Sequence, residues 1–372
     1  MTAIRLPVVD PAAALAPHLD GVRAAIERVL ASGWFILCEE VAGFEQEFAA
    51  AMGANHGVGV ASGTDAVALA LAGCGIGPGD GVVTVSHTAV ATVAAIESLG
   101  ATPILVDVDA DSFTMSPASL EQRLDELDGR APKAVVAVHL YGNPAPMPEI
   151  GRIAEAHGLH VVEDAAQAHG ASLDGAPVGA MGKAAAFSFY PTKNLGAIGD
   201  GGMVVTSDEG VRDAVRRLRQ YGWEERYVSD VPGRNSRLDE VQAAVLRALL
   251  PHLEASNAHR RAVARRYDEG LAGSAVTPPA PAAPGAVHVY HQYVVRTPAR
   301  DRLRTHLAER GIGTAVLYPV PVHLQPAYRQ LAPASGLPVT EQVCGEILSL
   351  PIGPHVSMEA ADTVVEAILD FP

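Results

Sequence analysis

From residue 57 onward, short apolar or β-branched runs alternate with segments of helical spacing, and this alternation restricts the possible folds more than any other feature. The runs are "GVGVA" (57–61), "GVVTVS" (81–86), "TPILVDV" (102–108), "KAVVAVH" (133–139) and "LHVVEDA" (159–165). Between them lie "DAVALALAG" and "AVATVAAIESLG", with small and apolar residues at helical spacing, and turns marked "GPGD" and "HGLH". Strand and helix in alternation predict an α/β fold with a mostly parallel sheet covered on both faces. "AAAFSF" (184–189) and "GGMVVTS" (201–207) are short enough and close enough together to add strands to the same sheet. A long helical stretch then runs from about Leu238 to Leu271, and the Pro-rich "TPPAPAAPG" that follows reads as a turn or hinge. Beyond it, "VHVYHQYVVR" alternates like a half-exposed strand and two more helical patterns follow. The expected division is a large domain over residues 1–250 and a smaller α/β domain over 251–372.

The 372-residue chain is long enough for a large core. Its 42 acidic and 27 basic residues give a net charge of −15, with no Lys/Arg stripe interleaved with aromatics, which argues against nucleic acid or an anionic membrane as partner. The N-terminal stretch is interrupted by Pro and Asp and lacks the apolar centre of a signal peptide. No segment approaches the roughly 20 apolar residues of a membrane span. Cys38, Cys74 and Cys344 are scattered and have no metal-ligand spacing. A cytoplasmic, reduced protein without a bound metal is the expectation.

Within this frame "FSFYPTKNLG" (187–196) is unusual, because a strand of aromatics and small residues ends by presenting Lys193 between two turns. Surface lysines are ordinarily solvated charges. One held at the carboxyl end of a strand, with its pKa lowered by partial burial, can instead act as a Schiff-base nucleophile. In "VVEDAAQAHG", Asp164 ends another apolar strand and Gln167 follows three residues later, so both can point into one crevice. A carboxylate there needs a partner; a helix cap or a salt bridge would serve, and so would a protonated pyridine nitrogen. "VASGTDAVALALAG" runs a strand through Ser62, Gly63 and Thr64 straight into a helix, which makes either an anion site of free amides or a capping box from Ser62 to Asp65. It is not a P-loop, since no lysine follows the second glycine. His87 follows a strand and precedes a helix; it can lie flat against an aromatic ring in the same crevice or be a satisfied structural histidine. Asn235, just before a long helix, is open to a capping or loop role. A phosphate cradle, an acid for a ring nitrogen and a strand-end lysine, in that chain order, together describe pyridoxal 5′-phosphate.

With these residues in place, the sequence resembles the DegT/DnrJ/EryC1/StrS family of sugar aminotransferases. The resemblance runs from "SGWFILCEEVAGFEQEFA" through "SGTDAVALAL", "VVEDAAQAHGA", "FSFYPTKNLGAIGDGG" and "GRNSRLDEVQAAVL" to "YPVPVHLQPAYR". It implies pyridoxal-phosphate fold type I, with a mostly parallel seven-stranded sheet and a smaller C-terminal domain. By the resemblance, Lys193 would carry the cofactor and shuttle the proton between its C4′ and the substrate carbon. Asp164 would pair with the pyridinium nitrogen, Gln167 would approach the phenolic oxygen, and Gly63, Thr64 and Ser188 would bind the phosphate, beside Ser62. Asn235 resembles the residue that reaches across a dimer interface to the partner's phosphate, which implies a homodimer with shared sites. Cys38 stands where the family pattern leads one to expect glycine. The residue stacked on the cofactor ring falls to His87 or to the position of Ala89.

The stretches around residues 221–240, 288–296 and 318–328 look most like the branch that aminates C3 of dTDP-3-oxo-6-deoxyhexoses, with L-glutamate as donor and pyridoxamine 5′-phosphate as the intermediate cofactor form. Tyr221, Trp223, Arg226, Tyr227, Tyr318 and His323 are then candidates for lining the sugar-nucleotide cleft, or for packing. A 4-aminotransferase acting on a 4-keto sugar nucleotide is the alternative within the fold. Relatives that dehydrate sugars replace the lysine with histidine, so Lys193 argues against them. A non-catalytic cofactor-binding regulator would be expected to have lost Lys193, Asp164 or the phosphate cradle, and all three are present.

Overall fold

The computed structural model of the chain describes residues 4–127 and 131–372. Its centre is a seven-stranded sheet of β1 (His56–Val60), β2 (Gly81–Val85), β3 (Thr102–Val106), β4 (Ala134–Val138), β5 (His160–Asp164), β6 (Ala184–Ser188) and β7 (Gly202–Thr206). The spatial order is β1-β7-β6-β5-β4-β2-β3. All ladders are parallel except those of β7, which runs antiparallel to both of its neighbours. The reason lies in the connection. Residues 189–201 contain no helix, so the chain cannot make the crossover that a parallel return requires, and it reverses directly after β6. Lys193 lies in that reversal and not in a β–α turn.

The helices that flank or precede this sheet include α1 (Leu19–Ser32), α2 (Glu39–Ala51), α3 (Gly63–Gly73), α4 (Val90–Glu97), α5 (Pro117–Glu126), α6 (Met147–Ala156) and α7 (Glu209–Leu218). Ala66 through Leu71 of α3 are all buried, because α3 has packing partners on every side. The expected continuous helix from Leu238 to Leu271 is two helices, α8 (Glu240–Leu249) and α9 (Leu253–Leu271), separated by a 3₁₀ turn over Leu250–His252. Pro251 in that turn has no N–H to give and its ring clashes with the preceding turn, so the α-helix breaks there.

α9 leads from one core to another. Leu253 packs with Phe48 and Phe187 beside the sheet, whereas Val263, Tyr267 and Leu271 pack with Leu303, Leu348, Val364 and Ile368 in the C-terminal lobe. That lobe adds α10 (Arg300–Glu309), α11 (Pro338–Glu346) and α12 (Met358–Leu369) around an antiparallel pair, β8 (Tyr293–Arg296) and β9 (Ile347–Leu350). The expected half-exposed strand over 287–296 is therefore mostly not a strand. Ala286–Val287 pairs separately with Ser172–Leu173, and Tyr290 takes a φ of +42° before β8 begins. The polar side chains that suggested an exposed face, His288, His291 and Gln292, are buried because the segment runs between the lobes.

The first helix against the sheet depends on a distant residue. α2 has no side-chain cap of its own. Glu240, at the start of α8, supplies one: Oε1 accepts from the amides of Cys38 at 2.6 Å and Val41 at 3.0 Å, and Oε2 from that of Glu40 at 2.9 Å. A carboxylate at a helix N-terminus also answers the helix dipole. Cys38 has a φ of −122°, so the turn does not require the glycine that the resemblance suggested. Glu240→Ala leaves these amides without their acceptor inside the fold. The expected cost is about 2–4 kcal/mol, read as a lowered melting midpoint; an unchanged midpoint would show that water replaces the carboxylate.

Candidate active site

The turn that carries Lys193 is held from beneath by aromatic rings. Phe187 and Phe189 point into the core and meet Phe48 edge-on at 5.0 and 5.1 Å, while Phe44 meets Phe189 at 5.1 Å. Above them Pro191 restricts the backbone, the Lys193 amide bonds to the Tyr190 carbonyl at 2.8 Å, and a Cβ on Gly196 would lie 2.6 Å from the Pro191 carbonyl. The alternation in "FSFYPTKNLG" thus anchors one face of the segment and leaves Lys193 half-buried at its end. Burial lowers the Lys193 pKa to about 8, outweighing the opposing attraction of Asp164.

β5 ends in two consecutive acids that strand alternation sends to opposite faces. Glu163 turns into the core, where it accepts from His139 Nε2 at 3.0 Å and from the amides of Gly179, Met181 and Gly182 at 2.7–2.9 Å. Asp164 turns toward Lys193. Its Oδ2 accepts from the Thr92 hydroxyl at 2.7 Å and its Oδ1 from the Ala166 amide at 3.2 Å. Because Thr92 gives its only hydroxyl hydrogen to Asp164, Thr88, 2.9 Å away, must donate to Thr92. The Gln167 carboxamide accepts from the Tyr141 amide at 2.7 Å and donates to the Tyr318 hydroxyl at 3.3 Å. Lys193, Asp164, Gln167 and Tyr318 therefore share one crevice.

The third wall is the start of α3. Ser62 has extended backbone and its hydroxyl accepts from the Asp65 amide at 3.1 Å, so its side chain acts as the helix cap. The amides of Gly63 and Thr64 are in the first turn, where a helix has no internal acceptor to offer. Gly63 is required by proximity: a Cβ there would lie 2.5 Å from the Cβ of Ser188. Gly202 of β7 is equally constrained, since a Cβ there would run into the Ser62 carbonyl. The cradle is further braced by Ser236, whose hydroxyl donates to Asp65 at 2.7 Å and accepts from the Ala61 amide at 3.1 Å. Asn235, next to it, is exposed.

Other candidates lie elsewhere. His87 is 1% exposed and does not present its ring to the crevice. Tyr141 gives its hydroxyl hydrogen to the Leu317 carbonyl, so His87 Nε2–H donates to Tyr141 at 2.9 Å and Nδ1 accepts from the Cys344 thiol at 3.2 Å. Burial lowers its pKa to about 4, so it stays neutral. His323, 2% exposed, is likewise committed: Nδ1 takes the Ser86 hydroxyl at 2.7 Å and Nε2 faces Glu341 at 3.3 Å, which leaves neither nitrogen for a substrate. Tyr221, Trp223, Arg226 and Tyr227 form a projecting aromatic hairpin, with rings 5.0 and 5.3 Å apart and the Arg226 guanidinium 4.9 Å from the Tyr227 ring. Among the described residues, no hydrogen bond or ring contact joins this hairpin to Lys193 or Asp164.

Thr88, Thr92 and Ser236 escaped the sequence reading. The first two carried a usable signal, hydroxyls four residues apart where a strand end passes into a helix, but nothing local revealed that they face Asp164.

An unfolded lysine keeps its proton to about pH 10.4. Between pH 8 and that value the unfolded chain binds more protons than the folded one, so the stability of the unliganded protein rises with pH across the window. Lys193→Met is expected to raise the melting midpoint at pH 7 by about 2–4 °C. The advantage should shrink between pH 8 and pH 10; an advantage that does not change with pH would mean that packing, and not charge burial, is responsible.

Residues 20–369 match the DegT/DnrJ/EryC1/StrS aminotransferase family. The chain is 48% identical to the dTDP-3-amino-3,4,6-trideoxy-alpha-D-glucose transaminase of Streptomyces venezuelae, over 99% of this chain and 96% of that one. It is 44% identical to the UDP-N-acetyl-3-dehydro-alpha-D-glucosamine 3-aminotransferase of Acidithiobacillus ferrooxidans, over 98% and 97% of the two chains. The crystal structure of S. venezuelae DesV in complex with a ketimine intermediate has a TM-score of 0.95 to this fold at 48% identity, covering 99% of this chain and 98% of that one. With the match extending across both lobes and the whole crevice, the chain belongs to the DegT/DnrJ/EryC1/StrS aminotransferase family.

Proposed function

We propose that the protein transfers an amino group from L-glutamate to C3 of a nucleotide-linked keto-deoxysugar, a dTDP-3-oxo-6-deoxyhexose, with pyridoxal 5′-phosphate as cofactor. The observation that carries the reading is the half-buried Lys193, its pKa lowered to about 8, facing Asp164 across one crevice. The residues fit the cofactor. Gly63 and Ser188 approach so closely that no side chain fits between them, which leaves the free amides of α3 and the Ser188 hydroxyl for a phosphate. Asp164 retains lone pairs for a protonated ring nitrogen after accepting from Thr92 and Ala166. Gln167 keeps its carboxamide oriented through Tyr141 and would stand near the phenolic oxygen.

When bound, pyridoxal phosphate supplies an electron sink for the carbanion left as the substrate proton departs. The protein's part is proton placement. Lys193, whose charged form is disfavoured by burial, would take the proton from the donor carbon and return one to the acceptor. Asp164 keeps a proton at the ring nitrogen, and the Thr88–Thr92 chain keeps the Asp164 carboxylate in place. Tyr318 lines the crevice beside Gln167.

The same reading makes the active unit a homodimer. Leu30, Trp34, Phe35 and Ile36 are 57%, 67%, 52% and 43% exposed in the single chain, a patch suited to a second copy. Asn235 and the aromatic hairpin of Tyr221, Trp223, Arg226 and Tyr227 project from the chain and would serve the partner's phosphate and nucleotide. Amination at C3 is supported by the two relatives, whose names share that position while differing in nucleotide. The large cofactor domain would span 1–250 and the small domain 251–372, in keeping with the separate C-terminal core. Cytoplasmic location is part of the reading; no described helix is long and apolar enough to cross a membrane.

The visible absorption of the cofactor-loaded protein tests both halves of the reaction. The Lys193-linked band should bleach with L-glutamate and return when a dTDP-3-oxo-6-deoxyhexose is added, giving a product aminated at C3 by NMR. Bleaching without return means a different acceptor; an amine at C4 would sink the regiochemistry. Lys193→Ala should lower turnover by roughly 10²–10⁴-fold, and sustained multiple turnover by that variant would remove Lys193 from the mechanism.

A further inference from the structure

Asn194, which directly follows Lys193, is the meeting point of three separate segments. Its Nδ2 donates to Asn257 Oδ1 of α9 at 2.9 Å and to the Val289 carbonyl at 3.0 Å. Its Oδ1 faces His291 Nδ1 at 3.1 Å. Asn257 in turn donates to the His169 carbonyl at 2.8 Å, at the end of the loop that carries Gln167. The path is tight, since a Cβ on Gly170 would lie 2.9 Å from Asn257 Nδ2.

The donors and acceptors in this cluster admit one arrangement. Turning the Asn194 amide over would set its oxygen against two other oxygens, Asn257 Oδ1 and the Val289 carbonyl, so the nitrogen must face them. Asn194 Oδ1 then accepts, and His291 must carry its proton on Nδ1. Asn257 is 0% exposed and His291 4%, so water does not replace a lost partner cheaply. His291 is kept neutral by burial and by the nearby Lys193, Arg260 and His169. The cluster is polar, buried at Asn257 and His291 and adjacent to Lys193 through Asn194, and proton placement by Asp164 and Lys193 does not use it.

We propose that Asn194, Asn257 and His291 form a clamp between the lobes that fixes the Lys193 turn, making Asn257 and His291 positioning residues for proton transfer by Lys193. The proton transfer itself rests on the reading under Proposed function; the clamp does not. Lys193 can be a base near neutral pH only while its amine is held in the crevice, where burial disfavours its charged form. The clamp ties its turn to α9, to the segment entering β8 and to the Gln167 loop at once. Losing the clamp frees the turn, lets water reach the amine and misplaces it relative to the reacting carbon.

The test exploits side-chain geometry. The amide nitrogen of asparagine can occupy the place of imidazole Nδ1, whereas that of glutamine matches Nε2. His291→Asn should therefore preserve the clamp and His291→Gln should break it, although both are polar and smaller than or similar to histidine. The first readout uses unliganded protein: competitive labelling with trace acetic anhydride, followed by mass spectrometry of the Lys193 peptide, gives the pKa of that amine. In His291→Gln it should move from about 8 toward the ordinary lysine value, and in His291→Asn it should not. The second readout is steady-state kinetics of the loaded enzyme, where His291→Gln should lower kcat by roughly 10- to 100-fold while the KM for glutamate changes little. Asn194→Ala, on the half-buried turn, should repeat the His291→Gln result and stands in for it if that variant does not fold. Identical Lys193 titration in wild type, His291→Gln and Asn194→Ala would overturn the clamp. A shifted titration in a protein that transaminates nothing would uphold the clamp and refute the function it serves.

Discussion

Two adjacent carboxylates at the end of β5 set the conditions for everything around the crevice. A strand cannot point Glu163 and Asp164 the same way, so one must be buried in the core and the other presented at the edge. Burying Glu163 is tolerable because His139 and the amides of Gly179, Met181 and Gly182 surround it with donors. Those bonds hold the loop before β6 against the end of β5, and β6 carries the chain to Ser188 and the Lys193 turn. Asp164 is thereby aimed from a fixed strand end at the turn that follows the neighbouring strand and carries Lys193.

The elements of this fold were legible because they follow local periodicity. The five apolar runs and the two short additions are the seven strands, and Gly63 and Lys193 could be singled out because a glycine at a strand-to-helix junction and a lysine in a Pro/Asn/Gly turn are locally odd. What was not legible depends on partners far away in sequence. His87 and His323 look available in the sequence, since each sits at an element end among small residues. Their partners are Tyr141, Cys344, Ser86 and Glu341, and only the folded chain brings those within reach. Thr92 shows the converse: an ordinary helical threonine until the sheet places Asp164 against it. The antiparallel β7 had a local cause that the alternation pattern obscured, namely a connection without a helix.

The two histidines removed from the crevice have a different use. With Asp107, they join the ends of β2 and β3 to the C-terminal lobe: Ser86 to His323, His87 to Cys344, and Asp107 to the amides of Val339 and Thr340 at 2.9 and 2.7 Å. Asp107 in this way caps α11, which has no side-chain cap of its own. Buried polar contacts add little net stability when fully satisfied but are costly to break singly, so they specify position more than they strengthen attachment.

The crevice thus lies between two polar seams of this kind, one at β2 and β3 and the other at Asn194, Asn257 and His291. An apolar interface between lobes could slide by a fraction of an ångström with little change in buried area, because burial energy is nearly indifferent to direction. Hydrogen bonds with short ranges and preferred angles are not. Two seams on different sides of the crevice define both the separation and the relative rotation of the lobes. For the proposed proton transfer by Lys193, that fixed separation matters more than the strength with which the lobes adhere.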